Sequence, residues 1–140
     1  MNIGFIGPAA ALGIAAVGSA IGTGIAGQAA MGAWKKCYAS NKPAPFMLVA
    51  FTGAPLTQTI YGFLLMLFIN NSTKDPMLLM SAGIFGGLAM CFSAAMQGKA
   101  AAGAADALGE TGTGTANYLM VIGIVETVAL FVMVFLLLML

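Results

Sequence analysis

The chain has 140 residues, 61% hydrophobic and 6% charged, with a formal net charge of +1 and no histidine. So little polar surface cannot cover a soluble globule, and the composition belongs in lipid. A near-neutral chain offers no electrostatic footprint for nucleic acid or a strongly acidic substrate, and it lacks the usual acid–base side chain of neutral pH.

Four charge-poor stretches are predicted as membrane helices, at about 3–34, 44–69, 76–108 and 117–140. A hydrocarbon core of roughly 30 Å needs about 20 helical residues, so each is long enough to cross. Nothing alternates with period two, so helices rather than barrel strands satisfy the backbone. The first stretch is uncharged from Met1 to Trp34. Its apolar, small-residue start is like a secretory signal but lacks a basic leading segment, and it is read as a span. Gly18, Gly22, Ala26 and Ala30 recur at steps of four and form a ridge that permits close helix approach.

The first polar break, Lys35 to Pro43, holds Lys35, Lys36 and Lys42, three of the five basic residues, which places this loop and the third in the cytoplasm. Cys37 lies beside it and Cys91 deep in the third span, roughly 25 Å away in depth at about 1.5 Å per residue. That separation excludes a disulfide. The second span carries bulk, as in Leu64, Leu65 and Phe68, and the segment Ala54-Pro55-Leu56-Thr57-Gln58-Thr59-Ile60-Tyr61. Thr57 and Tyr61 are four apart and share a face, with Gln58 beside them. Pro55 removes a backbone donor, which frees carbonyl oxygens in the preceding turn for a ligand.

After a break at Asn70 to Pro76, the third span returns to small residues and contains Gln97-Gly98-Lys99. Lys99 lies about 200° around the helix from Gln97, so it points elsewhere, to snorkel or to meet an anionic group. Asp106 and Glu110 mark a solvated helix end before the break at Gly109 to Thr115. The fourth span holds one charged residue, Glu126, ten residues in from Asn117 and so near the middle of the membrane. An unpaired carboxylate there costs several kcal/mol, so Glu126 is paired, protonated or functional.

The spans make two tandem helical hairpins, 1–70 and 76–140, which align as repeats. An offset of 74 pairs Gly13 with Gly87, Ser19 with Ser93, Gly24 with Gly98 and Ala30 with Ala104, and an offset of 68 pairs Thr59 with Thr127 and Phe63 with Phe131. The second offset also sets Gln58 against Glu126. Small first and third spans with bulky second and fourth spans suit a closed ring with a thin inner and a thick outer layer.

Halfway between Gln97 and Glu126 lies the third turn, and halfway between Gln58 and Gln97 lies close to the second, so all three polar groups fall at one depth. With Thr57 and Tyr61 they form a set of carboxylate, amide and hydroxyl oxygens, which suits a hard cation. A bare proton needs only the carboxyl, so the extra oxygens point towards Na+, with H+ left open.

On the run Gly18-Ser19-Ala20-Ile21-Gly22-Thr23-Gly24, the Pro55 to Tyr61 segment, Gln97-Gly98-Lys99 and Glu126-Thr127, the whole chain resembles the duplicated proteolipid subunit, K or c, of V-type rotary ATPases. The resemblance implies an all-α, non-catalytic ring subunit without a resident cofactor. In sodium-carrying members the ion is held by residues similar to Glu126, Gln97, Gln58, Thr57 and Tyr61, with the backbone carbonyl of Ala54 as a further match. Gln58 stands where single-hairpin relatives keep a carboxylate, so one chain is expected to carry one ion. The implied partners are other copies of the chain, a membrane stator subunit supplying an arginine, and central-stalk subunits that Asp106 or Glu110 could touch. No phosphate-binding loop is present for ATP chemistry, which belongs to other subunits.

Two rival readings remain open at the level of sequence. A small four-helix multidrug exporter also relies on one membrane glutamate, but in its first helix and with an aromatic cage for organic cations. A structural proteolipid would leave Glu126 dispensable.

Overall fold

The computed structural model describes residues 5–140, so positions 3 and 4 of the first predicted span lie outside the described residues. Four helices run up and down: α1 (Ile6–Ala39), α2 (Leu48–Asn71), α3 (Pro76–Thr111) and α4 (Thr115–Met139), all long and apolar enough to cross a membrane. Within α2 a 3₁₀ turn at Ala54–Leu56 joins Leu48–Gly53 to Thr57–Asn71. It centres on Pro55, which has no N–H to donate to an α-helical ladder.

Two helices run furthest past the sequence expectation, while the second span begins at Leu48 rather than 44 and ends at Asn71, and the fourth begins at Thr115 rather than 117. The break expected from Lys35 begins only at Ser40, because α1 continues through both lysines to Ala39. Lys36 Nζ pairs with Asp106 Oδ1 at 2.8 Å, and a basic group in a last turn faces the carbonyl end of the helix dipole. Cys37 is buried against α3, its thiol donating to the carbonyl of Gly109 at 3.4 Å, so this last turn is packed rather than frayed. Similarly, α3 runs past Leu108 to Thr111 and is ended by Gly112 at φ 68°, a conformation glycine adopts without a Cβ penalty. The start of α3 fits expectation: Asp75 accepts from the backbone N–H of Met77 at 2.9 Å, and Pro76 fills the first position.

α1 and α3 form the tight central pair. A Cβ on Gly18 would collide with the backbone of Cys91, one on Gly98 with the backbone of Gly22, one on Gly83 with the backbone of Gly7 and one on Gly7 with the backbone of Leu79. In lipid no hydrophobic force drives helices together, so such close backbone approach supplies the van der Waals contact that does. The bulkier α2 and α4 lie against this pair. Two apolar clusters result, one around Leu48, Phe51, Ala101 and Leu108, the other around Ala15, Leu65, Met90 and Met133. Between them in chain position lies a polar layer containing Gln58, Ser93 and Gln97, all buried.

Candidate ion-binding site

The layer is built around Glu126, which projects from the middle of α4 and is partly buried. Tyr61, one helical turn beyond Thr57 on α2, donates its hydroxyl to Glu126 Oε1 at 2.6 Å. Gln97 of α3 donates from Nε2 to Glu126 Oε2 at 3.1 Å and to the carbonyl of Ile122 at 3.1 Å. Each carboxylate oxygen therefore has its own donor, from two different helices.

The network extends into α2. Gln58 donates from Nε2 to Gln97 Oε1 at 2.8 Å, and its own Oε1 accepts from the Thr57 hydroxyl at 3.1 Å. Gln58 and Gln97 are both fully buried, where an unpaired amide would cost about 1–3 kcal/mol per polar group. The Thr57 hydroxyl also donates to the Ala54 carbonyl at 3.0 Å, and the Thr57 backbone N–H donates to the same oxygen in the 3₁₀ turn, so that carbonyl stands at the rim of the network.

All six residues singled out from the sequence thus lie in one continuous cluster. Sequence reasoning missed Ser93, which accepts from Gln58 Nε2 at 3.4 Å and donates to the carbonyl of Val125 at 3.2 Å, stitching α2, α3 and α4 together. The signal was available: Ser93 precedes Gln97 by four residues on the same face of α3. Lys99 is exposed and belongs to a different face of α3, and Cys37 and Cys91 are both free.

Among the described residues no three His, Cys, Asp or Glu side chains converge as a transition-metal centre would need. What the cluster offers is one carboxylate, two amide oxygens, the hydroxyls of Thr57, Tyr61 and Ser93 and a backbone carbonyl, the ligand chemistry of a hard monovalent or divalent cation. The amides now present nitrogen towards Glu126 and Gln97. A half-turn about each terminal torsion would present oxygen instead.

Residues 80–139, nearly the whole second hairpin, match the family of the ATP synthase C subunit. Over 112 residues, 77% of this chain, the sequence is 38% identical to the K subunit of the A-type ATP synthase of Methanocaldococcus jannaschii. The second hairpin thus carries the family match, and the chain over most of its length is similar to a K subunit. It spans about half the length of that relative, 48%. With four helices long and apolar enough to cross and a C-subunit match over the second hairpin, it is an integral multi-pass membrane protein. The family match includes Glu126, Gln97 and Ser93 and begins after the α2 residues Thr57, Gln58 and Tyr61. Those three are therefore contributed by the first hairpin to a site centred on the second.

Proposed function

We propose that this chain is a rotor-ring subunit of a V- or A-type rotary ATPase, carrying one cation per chain on Glu126. The carrying observation is the carboxylate at mid-span with one donor on each oxygen, Tyr61 from α2 and Gln97 from α3. A structural proteolipid has no need to invest a partly buried carboxylate and two fully buried amides in one layer. Against the exporter, the aromatic side chain bonded to Glu126 is Tyr61, which meets it through its hydroxyl rather than its ring face.

The chemistry of transport is one of charge. An ionised Glu126 is costly against lipid and is stabilised here by donors. A bound H+ or Na+ neutralises it, so the site can turn past the bilayer. At the stator, an arginine from another chain draws the carboxylate open and the ion leaves through an aqueous path. ATP hydrolysis or synthesis takes place in other subunits, coupled through a central stalk that meets the loops on the Lys35 and Lys42 side, which we assign to the cytoplasm.

We read the ion as Na+. Thr57 Oγ1, Gln58 Oε1, Gln97 Oε1 and the Ala54 carbonyl belong to the hydrogen-bonded network that ends on the carboxylate, and a proton has no use for them. The repeat-equivalent positions carry no second site: on the first hairpin Gln58 replaces the carboxylate and Thr23 stands where Gln97 does, and on the second Ala129 stands where Tyr61 does.

A hydrophobic carbodiimide, which attacks protonated buried carboxyls, tests this across a pH series with and without Na+. Labelling at Glu126, moved to lower pH by Na+, is the expected result, because Na+ and H+ compete for one carboxylate. Labelling indifferent to Na+ makes this a proton ring, and ion-coupled rotation surviving Glu126→Gln overturns the rotor reading.

A further inference from the structure

Among the described residues, Ser19 Oγ is the one buried side-chain polar atom without a hydrogen-bond partner, and Ser19 is 2% exposed. A hydroxyl left in that position forfeits its hydration with nothing in exchange. Helical hydroxyls ordinarily turn back to a carbonyl three or four residues earlier. Thr23, Thr52 and Ser81 all do so, Thr23 onto the Ser19 carbonyl at 2.8 Å, whereas Ser19 itself does not.

Two contacts fix what Ser19 faces. A Cβ on Gly22 would meet the Cβ of Pro55, and one on Gly62 would meet the Cβ of Ala15. Because α1 and α2 are antiparallel, stepping three residues from Gly22 to Ser19 and three from Pro55 to Gln58 arrives at one level. Stepping four from Ala15 and four from Gly62 arrives at the same pair. Residues three and four apart share a helix face, so Ser19 stands opposite Gln58, whose side chain is fully buried. Ser19 is also the counterpart, 74 residues earlier, of Ser93, which accepts from Gln58 Nε2 at 3.4 Å. Equivalent serines of the two repeats thus lie at the level of one amide, and only one of them is bonded to it.

We propose that Ser19 is a positioning residue for the transported cation: it receives the Gln58 amide when that amide turns its oxygen to the ion. The inference rests on the Na+ reading. In the present orientation both Nε2 protons of Gln58 go to α3, to Gln97 Oε1 at 2.8 Å and to Ser93, while Oε1 accepts from Thr57. A half-turn of the amide sets Gln58 Oε1 against Gln97 Oε1, two oxygens that repel unless a cation lies between them. It also carries Nε2 to the Thr57 side, where two acceptors must replace the two given up. Thr57 Oγ1, which donates to the Ala54 carbonyl at 3.0 Å, is one. Ser19 Oγ, free to move between staggered wells about a single χ1 torsion, is the other. Ser19 is therefore unpaired in the present orientation and paired in the turned one, so its desolvation opposes only the first and favours the ion-holding arrangement. α1 thereby joins a site otherwise built by α2, α3 and α4.

Ser19→Ala tests this in the full chain by carbodiimide labelling and by unfolding in detergent, each with and without Na+. The Na+ concentration that half-protects Glu126 is expected to rise roughly two- to tenfold, the equivalent of one hydrogen bond. The pH profile of labelling without Na+ should match the wild type, because the donors on the carboxylate are Tyr61 and Gln97. Without Na+ the unfolding temperature should hold or rise, since only an unpaired hydroxyl is lost, and the further rise that Na+ produces should shrink. An unchanged Na+ midpoint, or a lower unfolding temperature without Na+, overturns the role of Ser19 and leaves the Na+ reading standing. Wild-type labelling that ignores Na+ overturns the Na+ reading, and this role with it.

Discussion

Tyr61 and Glu126, 65 residues apart in sequence, are joined by the shortest hydrogen bond in the polar layer, 2.6 Å from hydroxyl to carboxylate. The bond ties the first hairpin to the carboxylate of the second, so the ion site depends on both repeats. Tyr61→Phe removes this donor and keeps the ring. A hydrogen bond to a charged group contributes about 1.5–3 kcal/mol, which corresponds to roughly a ten- to hundredfold loss of affinity. The Na+ concentration that protects Glu126 from carbodiimide should rise by that factor, and an unchanged value would remove Tyr61 from the site.

Gln97 serves three partners at once: Glu126, the Ile122 carbonyl and Gln58. Gln97→Leu leaves a carboxylate oxygen without its donor and the Gln58 amide nitrogen with only its 3.4 Å bond to Ser93 in a buried layer. The expected cost is at least about 1–3 kcal/mol of stability, read as a lower unfolding temperature in detergent, together with loss of Na+ protection. Gln97→Glu is a sharper probe. It adds a second carboxyl beside Glu126, and the pair should retain one proton over a wide pH range, visible as carbodiimide labelling that persists at higher pH.

Glycines in α1 separate by position. A side chain at Gly22 would run into the backbone of Ala94 and into Pro55, whereas one at Gly32 meets nothing within 4 Å. Gly22→Leu should destabilise by about 1–3 kcal/mol or more, since backbone cannot yield as a flexible side chain does. Gly32→Ala should leave the unfolding temperature unchanged or raise it slightly, as alanine is the better helix former. Equal effects at the two positions would refute the tight α1–α3 seam.

The Lys36–Asp106 pair is solvent-exposed on both sides, at 58% and 62%. Water and salt screen such a pair, so it orients the end of α1 more than it stabilises it. Asp106→Asn should leave the unfolding temperature of the extracted chain unchanged at physiological salt.

Hydropathy and spacing alone determined that this chain crosses a membrane four times as two repeated hairpins, and that Gln58, Gln97 and Glu126 share a depth. These are properties of length and periodicity along one axis, and lipid allows only helices to satisfy them. The break expected at Lys35 fails for the same reason that it is legible. Charge marks the edge of the apolar run, but the helix continues wherever packing and pairing support it, as Cys37 and Lys36 do.

Only the tertiary structure decided how the helices are rotated and which atoms meet. It set Tyr61 rather than Thr57 on the carboxylate, recruited Ser93 to hold three helices together, and made the α1–α3 glycine seam the centre of the chain. Depth is additive along a helix and can be counted from the sequence. Azimuth depends on crossing angle and on the approach distance of two backbones, and that distance is set by pairs such as Gly22 and Gly98, whose contact no single-helix pattern contains.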